Sequence, residues 1–81
     1  GDRGPVFSPD GKTIAYWAWD TNHNASLWLY DRASQKTWPL TETGWAMYPQ
    51  WSRDGKSLLF EQYQEGKTNL WLMELEEHLF E

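Results

Sequence analysis

The sequence predicts an all-β chain made of two homologous antiparallel modules. Three observations carry this: a phrase repeated at a fixed spacing, an Asp-Gly turn signal inside each copy, and strands that are apolar on both faces. The string "FSPDGK" at 7–12 returns as "WSRDGK" at 51–56. Pro5 falls on Pro49, Phe7 on Trp51, Ser8 on Ser52, Ile14 on Leu58 and Tyr16 on Phe60, each at a shift of 44 residues. Asp10–Gly11–Lys12 falls on Asp54–Gly55–Lys56 at the same shift. Further on the shift is 43, because Leu27–Trp28–Leu29 aligns with Leu70–Trp71–Leu72. A period of about 40–45 residues composed of short strands is the spacing of a propeller blade. The predicted architecture is two antiparallel β-propeller blades, the second incomplete. They would belong to a larger propeller or to one completed by oligomerisation. Blade one covers about residues 5–44 and blade two about 48–81.

Each copy reads as the same series of strands. "GPVFS" and "YPQWS" are short first strands, and Asp-Gly follows at once. That dipeptide is a strong hairpin signal, because Gly accepts the positive φ of a tight turn. "TIAYWAW" and "SLLFEQY" are second strands, separated from the third strands "LWLYD" and "LWLMEL" by the polar stretches "DTNHNAS" and "QEGKTN". The single deletion between the copies belongs in the latter stretch, since length changes are tolerated in surface connections. "TWPLT" forms a fourth strand in copy one, at an edge, because Pro39 cannot donate to a ladder; Pro5 and Pro49 suit the opposite edge for the same reason. Copy two stops after its third strand, with only "EEHLFE" remaining, and the sole hint of helical periodicity lies in "MELEEHLFE".

Alternate positions of "TIAYWAW" place Ile14, Tyr16 and Ala18 on one side and Ala15, Trp17 and Trp19 on the other. Both sides are apolar, as they are in "LWLY", where Leu27 and Leu29 oppose Trp28 and Tyr30. A sheet with one wet face would alternate with polar residues instead. Such strands ask to be sandwiched, which stacked blades achieve. Seven Trp, four Tyr and three Phe in 81 residues supply a large apolar mass for so short a chain. Two blades alone leave outer faces uncovered, beyond what a soluble monomer ordinarily exposes. Self-association that completes a ring is therefore expected.

Charge and composition exclude several partners. Seven Lys+Arg against twelve Asp+Glu give a net charge of −5, with the cations scattered singly. Nucleic-acid backbones and anionic membranes reward the opposite pattern. No apolar run reaches the roughly 20 residues that span a bilayer. Cysteine is absent, which removes disulfides and thiolate metal sites.

The strings "PVFSPDGKTIAYWAW…SLWLYD…WPLT" and "PQWSRDGKSLLFEQY…NLWLMEL" resemble the TolB-type β-propeller repeat. The resemblance covers nearly the whole chain and is specific for the repeat rather than for a function. It departs from the pattern at Arg53, where the family has Pro, and at the truncated second copy. The resemblance implies bacterial, periplasmic envelope proteins, the gating propellers of prolyl-oligopeptidase-like peptidases, or sensor propellers that take small ligands or glycans. The family's propellers hold about six or seven blades, so fewer than two implies either a segment of a longer protein or a ring-forming protomer.

Candidate chemistry is sparse. Asp10 and Asp54 read as turn-ordering residues rather than cation ligands. Asp20, Asn22 and Asn24 alternate like the start of a calcium loop but lack its Gly and distal Glu. His23 and His78 have no zinc spacing. Ser8 and Ser52 are repeat positions without a nucleophile elbow, and Glu61, Glu65 and Glu74 fall on wet blade surfaces. No catalytic, cofactor or metal residue is expected, and the chain is read as non-enzymatic. Trp17, Trp28, Trp51 and Trp71 are expected to pack between blades. Trp45, in the link "TETGWAMYP", is the exception. Such links line a propeller's end face, so Trp45 with Met47 and Tyr48 is the candidate partner-binding set. The expected function is a protein-interaction scaffold for a protein or peptide, with the peptidase-gating and glycan-sensing propellers as alternatives.

Overall fold

A computed structural model describes residues 5–19, 21–41 and 44–75. Seven strands and no helix occur among the described residues. The chain is all-β, and its first module contains β1 (Val6–Phe7), β2 (Thr13–Trp19), β3 (Ala25–Asp31) and β4 (Lys36–Pro39). The second contains β5 (Trp45–Trp51), β6 (Ser57–Gln64) and β7 (Lys67–Glu74). Within each module successive strands pair antiparallel. The end of the second copy, including His78 and the segment with helical periodicity, lies mostly outside the described residues, as does Asp20.

The repeated turn is built the same way twice. Gly11 N–H donates to Ser8 O at 2.9 Å and Gly55 N–H to Ser52 O at 3.0 Å. Each closes a four-residue β-turn with Gly at its last position, where φ is +74° in both. The Asp-Gly pair is thus not the centre of a two-residue hairpin loop; only the Gly adopts positive φ. This explains the tolerance for Arg53. A turn of this kind accepts most residues at its second position, where Pro9 merely pre-sets φ.

The two-residue hairpin loop occurs elsewhere. In "QEGKTN" β6 and β7 pair as far as Gln64↔Lys67, and Glu65 and Gly66 turn the chain with φ of 54° and 80°. Positive φ at both central residues matches the right-handed twist of the flanking strands. The stretch predicted as loop is therefore mostly strand, and the deletion shortens a hairpin end.

The prolines divide: Pro39 marks an edge as expected, whereas Pro49, expected at the opposite edge, does not. Pro39, on β4, pairs with Trp28, and β4 hydrogen-bonds only to β3. Pro49 sits inside β5, at a register shift between Met47 and Gln50. A bulge is the other place where a strand accommodates proline.

The two modules are not separate sheets. β3 gives its outer edge to β4 over Trp28–Asp31 and to β5 through a single parallel bridge, Ala25↔Trp45. Beyond that bridge β5 leaves the edge, and module two folds across the face of module one. Two apolar clusters fill the seam. One joins Ala15 and Leu29 to Leu58, with Trp38, Leu40, Trp51 and Leu75 around it. The other joins Leu27 to Ala46 and Phe60, with Trp17, Leu40 and Met73 packed on it. Ala15, Leu27, Leu29, Ala46 and Leu58 are wholly buried. The indole of Trp51 also donates to Val6 O across the seam at 2.9 Å. No buried side-chain polar atom among the described residues lacks a hydrogen-bond partner.

Trp17 and Trp51 therefore pack between modules as the sequence predicts. Trp71 does not. It lies on β7, whose two faces are both largely exposed, and keeps 52% of its surface accessible. Its position calls for a neighbour beyond β7, and none is present among the described residues.

Candidate functional site: an aromatic row across both modules

The link between modules places Trp45 at the start of β5, opposite Tyr63 of β6. Directly opposed residues of an antiparallel pair lie close enough for their side chains to meet. The two rings stack, with centroids 5.3 Å apart and planes inclined 23°. Trp45 also meets Trp19 edge-on at 5.8 Å, Trp19 meets Trp17 at 5.9 Å, and Trp17 meets Tyr48 at 6.1 Å. Five aromatic rings thus run in one continuous row, Tyr63–Trp45–Trp19–Trp17–Tyr48, drawn from β2, β5 and β6. Trp19, Trp45, Tyr48 and Tyr63 are exposed, and Trp17 is half-buried beneath them.

The row is held in place by the backbone. The Trp45 indole donates to His23 O at 2.9 Å, which ties β5 to the β2–β3 loop. His23 and Tyr48 both carry positive φ, 64° and 58°. Left-handed backbone at a non-Gly residue costs about 1–3 kcal/mol and persists where its surroundings enforce it. At Tyr48 the bulge beside buried Pro49 supplies that enforcement and turns the phenol outward, 58% exposed. Gly44, with φ +75°, brings the chain against β6 so closely that a Cβ would meet Tyr63 O at 3.2 Å.

Of the candidate set, Trp45 and Tyr48 both join the row, at separate points of it. Met47 lies between them, half-buried and opposite Glu61. Trp17, Trp19 and Tyr63 were not singled out as site residues. A signal for two of them was available: Trp19 and Tyr63 are related by the 44-residue shift, an aromatic at the end of the second strand in each copy.

The remaining candidates are occupied structurally. Ser8 Oγ donates to Asp10 Oδ1 at 2.6 Å and accepts Thr13 N–H at 3.1 Å. Ser52, Asp54 and Ser57 repeat that arrangement at 2.6 and 3.0 Å. Asp10 and Asp54 also accept the amides of Lys12 and Lys56, each at 2.9 Å. A cleft of about 740 Å³ lies between these two turns, lined among others by Lys12, Asp31, Trp51, Arg53 and Lys56. Glu61 and Glu74 are four ladder rows apart, since Glu74 pairs with Ser57. That is about 13 Å, wider than the carboxylate separations used in glycoside hydrolysis. No cluster of three or more His, Cys, Asp or Glu among the described residues could hold a metal ion.

The turn carboxylates have a measurable consequence. The Ser8 hydroxyl, then the Lys12 amide, hold Asp10 below its ordinary value of 3.8, and Ser52 and Lys56 do the same for Asp54. A carboxylate whose folded-state pKa is depressed stabilises the fold above its unfolded value, and that contribution disappears as pH falls through the folded one. Replacing both Asp10 and Asp54 by Asn keeps an acceptor in each turn but removes the titration. Thermal melts from about pH 5 downward should then fall less steeply than in the parent protein. Parallel acid limbs in the two proteins would show that these turns carry none of the acid sensitivity.

No family model matches the chain. Two curated relatives do, both named dipeptidyl-peptidase 5 and both from strains of Aspergillus fumigatus. Each is 34% identical over 73 residues, covering 82% of this chain and 10% of the relative. The chain thus spans about a tenth of the length of the curated relatives it matches. These relatives are fungal, and they add nothing to the bacterial, periplasmic setting that the TolB-type resemblance implies.

Proposed function

We propose that this chain is a non-catalytic TolB-like propeller module whose aromatic row contacts polypeptide. The observation that carries the reading is the continuous row of five rings, four of them exposed, built jointly by both modules and pinned by the Trp45–His23 hydrogen bond. Exposed aromatic rings set at fixed spacing offer rigid apolar area at small entropic cost, and their N–H and O–H groups add directional contacts. Electron-rich ring faces on a chain of net charge −5 favour uncharged or cationic segments over acidic ones.

Titration of the intrinsic Trp fluorescence with pools of short neutral, basic and acidic peptides tests this. Neutral or basic pools should shift the emission, acidic pools should not, and Trp45→Ala should weaken the response about tenfold, as loss of an aromatic hot spot does. A response to oligosaccharides but to no peptide would transfer the site to the glycan-sensing alternative.

A second reading is favoured by one specific observation, the similarity to proteins named dipeptidyl-peptidase 5. On that reading the module is part of the accessory propeller of a prolyl-oligopeptidase-like serine peptidase, and the row meets peptides on their way to a hydrolase domain. A reading frame that continues into a hydrolase domain with a Gly-x-Ser-x-Gly elbow would decide for it. A continuation into further repeats alone would leave the scaffold.

A further inference from the structure

We propose that a second copy of this chain docks head-to-tail on the outer face of module two, reproducing between molecules the seam that joins the modules within one. The argument starts from the repeat. At the internal seam, module one presents Ala15, Leu27 and Leu29, all wholly buried. The equivalent residues of module two are Leu59, Leu70 and Leu72, and these are 38%, 69% and 63% exposed. The register confirms that they share one face, since Leu59 opposes Leu72 and Glu61 opposes Leu70. This is the front face of module two, apolar and uncovered.

The receiving face at the seam is built from Trp51, Leu58, Phe60 and Met73. Its equivalents in module one are Phe7, Ile14, Tyr16 and Tyr30, which form the back of module one together with Trp28. Phe7 is 54% exposed and the others are half-buried. The described residues therefore leave an unused front at one end and an unused back at the other.

What favours a second copy as the occupant is a matched change of polarity. At the seam, Trp17 and Met73 pack on the cluster that contains Phe60, all apolar. On the open front, Glu61 stands where Trp17 stands inside; on the open back, Tyr16 and Tyr30 stand where Phe60 and Met73 stand inside. The apolar set at the seam has become a carboxylate on one open face and two phenols on the other. A carboxylate accepts and a phenol donates, so the two open faces complement each other as they would not complement copies of themselves. Partial burial raises the Tyr16 pKa, which keeps that phenol a donor. Docking leaves the aromatic row open as well. Trp19, the equivalent of Tyr63, remains 46% exposed beside the internal seam.

A contact of this type is heterologous, so it closes into a ring or grows into a filament according to the rotation per copy. The full chain is tested by sedimentation velocity at rising micromolar concentration. Leu72→Glu puts a charge on the exposed front. Phe7→Lys puts one on the exposed back beside Arg32, whose guanidinium lies 5.5 Å from the Phe7 ring and would pair with an acidic substitute; neither position is in the buried core. The parent protein should associate beyond a dimer. Each variant alone should stay monomeric, with its midpoint raised more than about tenfold, since a charge buried unpaired at an interface costs affinity heavily. An equimolar mixture of the two variants should form a dimer and stop there, because one intact front then meets one intact back. A monomeric parent, or variants that remain monomeric when mixed, would overturn the proposal. So would association surviving in one variant alone, which denotes a symmetric front-to-front or back-to-back contact. Sedimentation reads mass and not peptide binding, so its outcome is independent of the fluorescence experiment.

Discussion

Leu29→Ala is expected to lower the unfolding free energy by about 2–5 kcal/mol, the range for deleting a buried Leu side chain. Leu29 is wholly buried on β3 and sits in the cluster with Ala15 and Leu58, so the vacated space lies in the seam between modules. Ala15 and Leu58 there lie on strands fixed by ladders on both sides, which limits collapse into the cavity and places the cost toward the upper end. At about 0.1 kcal/mol per residue, a chain of this size holds roughly 8 kcal/mol in total. One methyl-rich side chain therefore accounts for a large share of the stability. Urea denaturation in dilute solution should show a lower midpoint with an unchanged slope. Combining Leu29→Ala with Leu58→Ala tests whether the modules form one cooperative unit. Residues in contact should couple by about 0.5–3 kcal/mol, and strict additivity would mean that the seam is not formed as described.

The second large effect is at Trp51. Trp51→Ala should cost about 3–5 kcal/mol, as large aromatic truncations do, because the indole packs against the Ala15–Leu29–Leu58 cluster. Trp51→Phe separates the two contributions of this side chain. It keeps most of the ring but removes the N–H that reaches Val6 O at 2.9 Å, so a loss of about 1–3 kcal/mol is expected from the stranded carbonyl. The repeat offers its own control, since Phe occupies the equivalent position 7. If Trp51→Phe and Trp51→Ala destabilise equally, the hydrogen bond rather than the packing dominates. If Trp51→Phe is neutral, the cross-module bond contributes nothing.

The repeat made most of the architecture legible. Asp-Gly at positions 10–11 and 54–55 fixed two turns and therefore two pairs of strands, and Pro39 assigned an edge, whereas Pro49 read as an edge marker and sits at a bulge. Alternation grouped Ala15 with Trp17, and Leu27 with Leu29; the register Ala15↔Leu29 sets both groups on one face, and that face is the seam. Trp71 escaped because periodicity reports that a strand wants cover on both faces, not that its own chain supplies it. The β6–β7 turn escaped because Lys67–Thr68–Asn69 are polar, and polarity in an edge hairpin exposed on both faces looks the same as polarity in a loop. For the site, Trp45 was visible as an aromatic in a linker. The row was not, because its geometry depends on the positive φ of Tyr48 and on the register shift at Pro49, neither of which has a period.

The bridge between Ala25 and Trp45 has a kinetic side. All other strand pairings described here are hairpins between neighbours in sequence, closing loops of only a few residues. Loop closure of that length carries little entropic penalty, and local pairings favour rapid assembly. The distant contacts, that bridge and the reach of Trp51 to Val6, are the slow ones. Two preformed halves must meet before either gains its core, so the nascent chain keeps both greasy surfaces open until the last step, the interval in which a neighbouring molecule can substitute for its own second half.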